Sequence, residues 1–393
     1  MALLFISSLV PDQIEYQTAS FTRSGNNVLL GIATSLPEDP LLISCRPVPS
    51  FPSARIWIKG EYVRLDEKRV IHILPTLNIK IIKNVFWGLL CSLIILKWTT
   101  KNKHEERNVL VYNIYTPLIS TLYHATKLFG CRLYAILYDL GIPPKHLNLG
   151  YITMFGYKVG EYLAKRYIPK LAGRIVINER IVDYYAPGKN YLLIDGGIND
   201  SVIQSLFPLE MSTNERLTCV LAGMLWSQNG TELILDTLRR NIHLNVKFIF
   251  AGNGNDVKKI IAASEKDNRI EYAGMLSMAE LFVLYKRADV LVNLRIEEEV
   301  DFHFPSKLLE YMATGRYVVS TPIAHAERDY SEYVDFLHDI STDGLARKLS
   351  SLICKDKRLL LERGIAARKF MVEKRNWAFR TTEIINYINN EHK

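Results

Sequence analysis

Short apolar runs alternate with helical patterns along both halves of the chain, and this alternation constrains the fold more than any other feature. Strands that alternate with helices form parallel, doubly wound sheets. With 393 residues the chain is too long for one compact core and has the length of two domains. The sequence therefore predicts an α/β fold with two Rossmann-like parallel-sheet domains. The predicted strands are Leu3–Ser7, Leu41–Ser44, Val109–Tyr112, Leu133–Leu137, Arg174–Ile177 and Tyr191–Ile194 in the first half, and Thr218–Ala222, Val246–Ala251, Arg269–Tyr272, Val290–Asn293 and Tyr317–Ser320 in the second.

A polar segment, Pro208–Arg216, separates the two series of strands. Because it contains a proline and is mostly polar, we interpret it as the interdomain linker. The predicted domains are residues 1–207 and 208–375.

Composition and cysteine spacing exclude several classes of protein. The chain is 48% hydrophobic and 23% charged without low-complexity tracts, which excludes a disordered chain, collagen and a coiled coil. Its five cysteines show no metal-binding spacing, and Met1–Val10 lacks the basic start of a signal peptide. We therefore expect a cytoplasmic protein with reduced thiols and no metal.

The net charge of +8 predicts an anionic partner. Nucleic acid is disfavoured because no recognised binding motif is present.

The longest apolar run, Val85–Leu96, is too short to span a bilayer as a helix. It lies in a basic stretch, residues 80–107, and a second, aromatic-rich basic stretch covers residues 145–174. Two interpretations stay open: helices that lie on an anionic membrane face, or solvated helix surfaces. The basic residues are Lys80, Lys83, Lys97, Lys101, Lys103 and Arg107 in the first stretch, and Lys145, Lys158, Lys165, Arg166, Lys170 and Arg174 in the second.

Ligands of open α/β sheets bind beyond the carboxyl ends of the strands, so the loops that follow strands are candidate sites. Gly252, Asn253 and Gly254 form one such loop, where glycines let a phosphate or sugar approach the backbone. The third glycine of a dinucleotide fingerprint falls at Val257. A nicotinamide-dependent oxidoreductase therefore has only Gly252 and Gly254 in its favour.

A second loop leads from Arg295 into a predicted helix that contains Glu310. Pro305 suits the first turn of that helix, where its missing N–H costs little. Ser306 and Lys307 then present a hydroxyl, an ammonium group and backbone N–H groups to an anion, and Glu310 can accept hydrogen bonds from a pair of hydroxyls one turn later. This is the layout of a nucleotide diphosphate and its ribose. The alternative is an ordinary capped helix with a surface lysine.

Two loops of the first half also contain an aspartate close to glycine. Asp139 follows a predicted strand, where its carboxylate can bind substrate hydroxyls, assist proton transfer or simply form a turn. Asp195 precedes Gly196 and Gly197, which permit close backbone approach or again a turn.

An ordered series of motifs in the second half resembles the retaining glycosyltransferases of family 4, of the bacterial polysaccharide type. The resemblance implies the GT-B fold, two Rossmann-like domains that face a cleft, with the last helix, within residues 376–393, crossing back to the first domain. It also implies transfer of a hexose from a nucleotide sugar to a saccharide or lipid-linked acceptor, with retention of configuration and without metal, in polysaccharide or glycoconjugate synthesis. The motifs are IDGGIND at 194–200, LAGMLWSQNGTELIL at 221–235, FIFAGNGND at 248–256, RIEYAGMLSMAELFVLYKRADVLVNLR at 269–295 and FPSKLLEYMATGRYVVST at 304–321.

The resemblance also implies roles for individual residues. Glu310 corresponds to the family's ribose contact, and Asp139 resembles an acidic position near the reacting sugar. Pro305 to Lys307 fall where the donor diphosphate binds, Gly223 falls near the phosphates, and Ala273 to Met275 fall near the nucleobase. The candidate catalytic residues are Asp139, Lys307 and Glu310, and the candidate donor-binding residues are Gly223, Asn253, Gly254, Ala273, Gly274, Met275, Arg295, Pro305, Ser306, Lys307 and Glu310.

Three positions of the second half depart from the family pattern, and Leu9 to Asp12 stand where its glycine-rich loop after the first strand is expected. Phe302 stands where the first glutamate of its two-glutamate motif is expected, and Met224 and Asn229 stand where basic residues are usual. Lys307 and Arg295 are the cations that can replace the missing charge. The departures support one alternative, a non-catalytic glycosyltransferase-like subunit that binds a partner enzyme.

Overall fold

The computed structural model describes residues 1–11, 13–16, 23–36, 40–80, 82–113, 118–138, 150–296 and 304–390. The chain divides into two compact units, Met1–Gly196 with Trp377–Lys393, and Gly197–Asn376.

The first unit contains an eight-stranded sheet and a two-stranded antiparallel ribbon. Its elements are β1 (Ala2–Ser7), α1 (Arg23–Ser35), β2 (Leu41–Ser44), β3 (Trp57–Ile58), β4 (Glu61–Arg64), β5 (Val70–Ile73), β6 (Thr76–Leu77), α2 (Ile82–Lys101), β7 (Arg107–Tyr112), α3 (Leu118–Leu128), β8 (Arg132–Leu137), α4 (Tyr151–Tyr167), β9 (Gly173–Val176), α5 (Arg180–Tyr185) and β10 (Leu192–Leu193). The large sheet has the order β10-β9-β8-β7-β1-β2-β5-β4, and all neighbours are parallel except the edge strand β4. The ribbon pairs β3 with β6.

The second unit is built on a six-stranded, fully parallel sheet. Its elements are α6 (Asp200–Gln204), β11 (Leu217–Met224), α7 (Thr231–Arg240), β12 (Val246–Asn253), α8 (Val257–Ser264), β13 (Ile270–Gly274), α9 (Met278–Arg287), β14 (Val290–Asn293), α10 (Ser306–Thr314), β15 (Tyr317–Ser320), α11 (Ala326–Tyr330), β16 (Val334–Phe336), α12 (Thr342–Ile353) and α13 (Lys357–Lys374). The order β13-β12-β11-β14-β15-β16 reverses direction between β11 and β14. This reversal is the point at which doubly wound sheets bind ligands.

Helices cover both faces of the first sheet. Leu3 and Phe5 of β1 pack in one buried cluster with residues of α1 and of the last helix, α14 (Trp377–Asn390). Leu4 and Ile6 are also buried, and by the alternation of side chains along a strand they point to the opposite face. There α2, α3 and α4 pack side by side, with α3 in the middle.

The last helix is fixed to the first unit by a buried ion pair and close packing. Arg380 pairs with Asp195, and its Nε donates to the carbonyl of Gly196 at 3.1 Å. Trp377 packs so closely on Gly31 of α1 that a Cβ at Gly31 would lie 2.1 Å from the indole ring. Asp195 therefore anchors α14, and its loop has a structural role.

The segment Pro208–Arg216 is not a free linker, contrary to the sequence-based interpretation. Arg316 donates to the carbonyl of Glu210 at 3.0 Å, and Asn214 donates to the carbonyl of Arg287 at 2.9 Å. Lys357 also donates to the Asn214 carbonyl. These partners all belong to the second unit, so the segment lies inside it, and the division of the chain falls between Gly196 and Gly197. The segment is held through backbone carbonyls that accept from cationic side chains, which produces no apolar pattern, so it resembles a linker in sequence.

All eleven predicted strands are present, and no end differs from the prediction by more than two residues. The strands β3 to β6 and β16 are not predicted. Each has two to four residues, and β4 is mostly exposed, so none shows a clear hydrophobic pattern. The apolar run Val85–Leu96 is the middle of the longer helix α2.

Candidate functional site

Three adjacent parallel strands, β11, β12 and β13, end at the same edge of the second sheet. In register, Gly223 lies beside Gly252, and Met224 lies beside Asn253. A Cβ at Gly252 would lie 1.9 Å from the carbonyl oxygen of Gly223, and Gly252 has a φ of +132°. Only glycine allows this approach of two backbones, and it leaves the strand ends open to a ligand.

A pocket of about 600 Å³ lies at this edge, and its volume is in the range of small-molecule sites. It contains five of the predicted donor-binding residues: Gly223, Asn253, Gly254, Met275 and Lys307. The pocket is also lined by Met224, Trp226, Ala251, Gly252, Asn255, Leu276 and Leu281.

Lys307 is the one charged side chain among the described residues that line the pocket. It lies in the first turn of α10, where backbone N–H groups have no partner inside the helix and the helix dipole favours an anion. A Cβ at Gly223 would have Cε of Lys307 as its nearest neighbour, at 3.9 Å. The ammonium group and the start of the helix therefore lie at the open end of β11.

Lys307 and Glu310 form an ion pair. Nζ of Lys307 lies 3.0 Å from Oε1 and 3.2 Å from Oε2 of Glu310. The two side chains are 29% and 19% exposed, so solvent reaches the pair. The two groups were predicted to act on different parts of a nucleotide, and the structure places them in contact with each other one helical turn apart.

Two buried tyrosines, Tyr285 and Tyr311, lie next to the ion pair. Tyr285 of α9 donates its hydroxyl to Oε1 of Glu310 at 3.0 Å. The hydroxyl of Tyr311 accepts from the backbone N–H of Ala222 at 2.9 Å and donates to the carbonyl of the same residue at 3.2 Å. Burial, followed by nearby Tyr311 and Glu310, raises the pKa of Tyr285 well above its ordinary value, and burial does the same for the pKa of Tyr311. Both hydroxyls therefore stay protonated and hold α10 against its neighbours α9 and β11.

Arg295 lies beside the loop that follows β11 without lining the pocket. Its guanidinium donates to the side chain of Asn229, and Asn229 in turn donates to the carbonyl of Met224 at 2.5 Å. Burial lowers the pKa of Arg295, although a guanidinium remains charged at any physiological pH. Arg295 thus places a positive charge close to Met224 and Asn229, the two residues that stand where the family pattern has basic residues.

Four other predicted residues flank the pocket without lining it. Ala273 and Gly274 end β13, one strand away from Gly252. Pro305 is the residue before the first turn of α10, not inside it as predicted, and Ser306 is the first helical residue. Met275 is the member of the predicted nucleobase set that reaches the pocket.

Some sequence-based predictions lie outside the described residues. Asp139 and Phe302 are among them. Within the described residues, the side chains form no group of three or more His, Cys, Asp or Glu that could hold a metal ion.

Residues 216–355, most of the second unit, match the family model for glycosyl transferases group 1. The second unit is therefore similar in sequence to a glycosyltransferase domain. No curated protein matches the chain in sequence.

Several solved structures share the fold of the whole chain. HepE of Anabaena in complex with UDP has a TM-score of 0.63 at 12% identity, over 99% of this chain and 100% of that one. The lipopolysaccharide outer core galactosyltransferase WaaB has a TM-score of 0.63 at 15% identity, over 100% of both chains. A glycosyltransferase from Rickettsia africae gives 0.63 at 16% identity, over 99% of each. The predicted fold of two Rossmann-like domains is confirmed, and it is shared with these GT-B neighbours.

The sequence missed the residues that shape the pocket by packing. Trp226 and Leu281 line it, Tyr285 donates to Glu310, and Tyr311 binds the backbone of Ala222. All four lie inside motifs that the sequence singled out, but no role at the site was predicted for them. Tyr285 lies 25 residues before Glu310, and no local pattern connects the two.

Proposed function

We propose that the chain transfers a hexose from a nucleotide sugar, bound in the pocket of the second unit, to a saccharide or lipid-linked acceptor. The proposal rests on the position of Lys307. Its ammonium group lies at the start of a helix, next to strands that end in glycine, in a pocket large enough for a nucleotide. HepE, which shares the fold, was crystallised with UDP, with UDP and glucose, and with UDP-glucose.

In this proposal the donor exchanges the Lys307–Glu310 pair for contacts of its own. The diphosphate binds Lys307 and the N–H groups at the start of α10, and the ribose hydroxyls donate to Glu310. The nucleobase packs near Met275. Because charge builds on the leaving diphosphate in the transition state, fixed N–H groups and one ammonium can stabilise it without metal.

Three finer parts of the proposal depend on the motif resemblance and on chemistry. Retention of configuration follows the family resemblance, with Asp139 orienting sugar hydroxyls. Arg295, held by Asn229 beside the pocket, adds positive charge near the diphosphate. A cytoplasmic location agrees with five free cysteine thiols.

A turnover assay tests the proposal. The full chain is incubated with a panel of nucleotide sugars, and release of nucleoside diphosphate is measured with and without saccharide acceptors. We expect turnover with at least one donor and a loss of about 100-fold in kcat/KM for Lys307→Ala, since one transition-state contact disappears. Lys369→Ala, an exposed lysine on α13, is the matched control and should keep full activity.

Release from no donor would contradict catalysis and favour the partner-subunit alternative. Equal activity of Lys307→Ala and Lys369→Ala would contradict the site. The configuration of the product, read from the coupling constant of its anomeric proton, tests retention separately.

A further inference from the structure

One helix of the first unit, α2, is apolar around most of its circumference. Trp87, Cys91, Ile95 and Trp98 form its buried face, and Gly88 packs against Thr121 of α3. The opposite face is exposed and also apolar. This α2 stripe consists of Ile82, Val85, Leu89, Leu93 and Leu96, with Leu93 64% exposed. Its spacing of three and four residues aligns the five side chains along one side of the helix.

A second exposed apolar stripe follows α4. This α4 stripe consists of Tyr151, Phe155, Val159 and Tyr162, again spaced by three and four residues, with Tyr151 96% exposed. Tyr167 of α4 contacts α3 through a hydrogen bond with His124 at 3.1 Å. Because α2 and α4 flank α3 in one helical layer, both stripes lie on the outer side of that layer.

Aromatic side chains extend the α2 stripe toward the β3–β6 ribbon. The ring of Trp57 lies 6.0 Å from Phe86 of α2, edge to face, and Trp57 is 52% exposed. Ile56 beside it is also exposed. Tryptophan and tyrosine are the side chains that prefer the boundary between lipid and water.

Exposed cations surround the two stripes. Lys97 and Lys101 lie at the end of α2, and Lys158 and Arg166 lie on α4. Nearby acids are bound to other groups: Glu105 pairs with the N-terminus at 3.3 Å, Glu106 with Arg132 at 3.0 Å, and Glu161 with Lys165 at 2.9 Å. The surface around the stripes is therefore positive.

Two of the basic residues counted from sequence do not belong to this surface. Arg174 is buried and donates to four backbone carbonyls, those of Ile168, Pro169, Leu171 and Asn190. Lys83 donates to the carbonyl of Val48 at 2.8 Å. Lys145 lies outside the described residues. The positive charge around the stripes therefore comes from exposed cations such as Lys97, Lys101, Lys158 and Arg166.

We propose that the layer of α2, α3 and α4 docks on an anionic lipid bilayer, with both stripes in the headgroup region and the lysines against the lipid phosphates. Among the described residues, α2 is the helix whose length and composition would allow it to cross a membrane. Crossing would remove its buried face from α3, so docking parallel to the surface is the arrangement that keeps both faces of α2 in apolar surroundings. A docked first unit favours a lipid-linked acceptor; that last step alone rests on the proposed function.

Vesicle flotation of the full chain tests the docking. Vesicles of phosphatidylcholine with phosphatidylglycerol are compared with phosphatidylcholine alone at low and high salt. We expect the chain to float with the anionic vesicles and to be released by salt. Leu89→Ser with Leu93→Ser should lower the partition coefficient by roughly tenfold or more. Lys97→Gln with Lys101→Gln should lower it by roughly fivefold for each lysine.

The matched control is Leu359→Ser with Ile365→Ser, two exposed apolar residues on α13 of the second unit, which should float like the wild type. Thermal unfolding verifies that every variant is folded. Absence of flotation, or equal flotation of the α2 variant and the wild type, would overturn the proposal. So would a wild type that forms dimers by sedimentation, fails to float and becomes monomeric in the α2 variant, because the stripes would then bind a second copy. Donor hydrolysis without vesicles should be unchanged in the α2 variant, so failure here leaves the proposed function standing.

Discussion

A carboxylate and a cation pair beside glycine at strand ends in both units, and the structure gives the two regions different roles. In the first unit, Asp195 and Arg380 are 2% and 4% exposed and join α14 to the end of the sheet. In the second, Lys307 and Glu310 are partly exposed, and Lys307 lines the pocket.

Burial decides which pair can serve a ligand. Separating a fully buried pair leaves an uncompensated charge in the interior, so Asp195 and Arg380 have a structural role and do not bind a ligand. A solvated pair contributes little to stability and can be exchanged for phosphate and hydroxyl groups at small cost. We therefore expect substitutions in the first pair to affect folding and substitutions in the second pair to affect the donor.

The largest effect is expected for Arg380→Met, which removes the guanidinium paired with the buried carboxylate of Asp195. The free energy of unfolding should fall by about 3–5 kcal/mol. Urea denaturation measures the change. Arg239→Met breaks an exposed pair with Asp236 and should change stability by less than about 0.5 kcal/mol. Similar losses for the two variants would refute the distinction between the pairs.

Gly252→Ala should follow in size, because its Cβ would collide with the Gly223 carbonyl. We expect a loss of roughly 3 kcal/mol in unfolding free energy, together with loss of donor binding. Gly274 on the same edge also has a positive φ, but a Cβ at that position would have no atom within 4 Å. Gly274→Ala should therefore cost only about 1 kcal/mol, from backbone strain. Equal losses of unfolding free energy in the two variants would show that the close approach of the Gly223 carbonyl is not the reason for glycine at position 252.

Glu310→Gln keeps the shape of the side chain and removes its charge. The donor KM should rise about tenfold with little change in kcat, because a charge-assisted contact to the ribose is lost in ground and transition states alike. Steady-state kinetics against varied donor measures this, with Glu362→Gln on α13 as the matched control. An unchanged KM would remove Glu310 from the ribose site.

Tyr285→Phe should have the smallest effect. It removes one hydrogen bond to Glu310, worth about 1 kcal/mol, and should raise the donor KM several-fold. In the Glu310→Gln background the same change should have less effect, and a double-mutant cycle measures that difference. Full additivity would mean that Tyr285 does not act through Glu310.

The sequence predicted most of the fold because parallel strands buried on both faces are strongly apolar. Val290–Asn293 and Tyr317–Ser320 are predicted and observed with the same bounds. The ribbon strands, such as Trp57–Ile58, are too short for any periodicity to appear. A count of basic residues does not show which of them are on the surface. Arg174 is buried because backbone carbonyls accept from its guanidinium.

Several residues singled out in the sequence line one pocket. Lys307 is predicted from the chemistry of a helix start, which is local, and Gly223 from the motif resemblance. Other contacts depend on how separate helices and loops pack: Tyr285 donates to Glu310, and Arg295 donates to Asn229. Such contacts join residues 25 and 66 positions apart, so no local pattern contains them.

Calorimetric titration of the full chain with UDP, ADP, GDP, CDP and TDP tests the central claim most directly. We expect at least one of these to bind at one site per chain, and Lys307→Ala to weaken that binding at least about tenfold while Lys369→Ala does not. Binding of none of the five, or equal affinity in Lys307→Ala and the wild type, would contradict the assignment of the pocket to a nucleotide diphosphate.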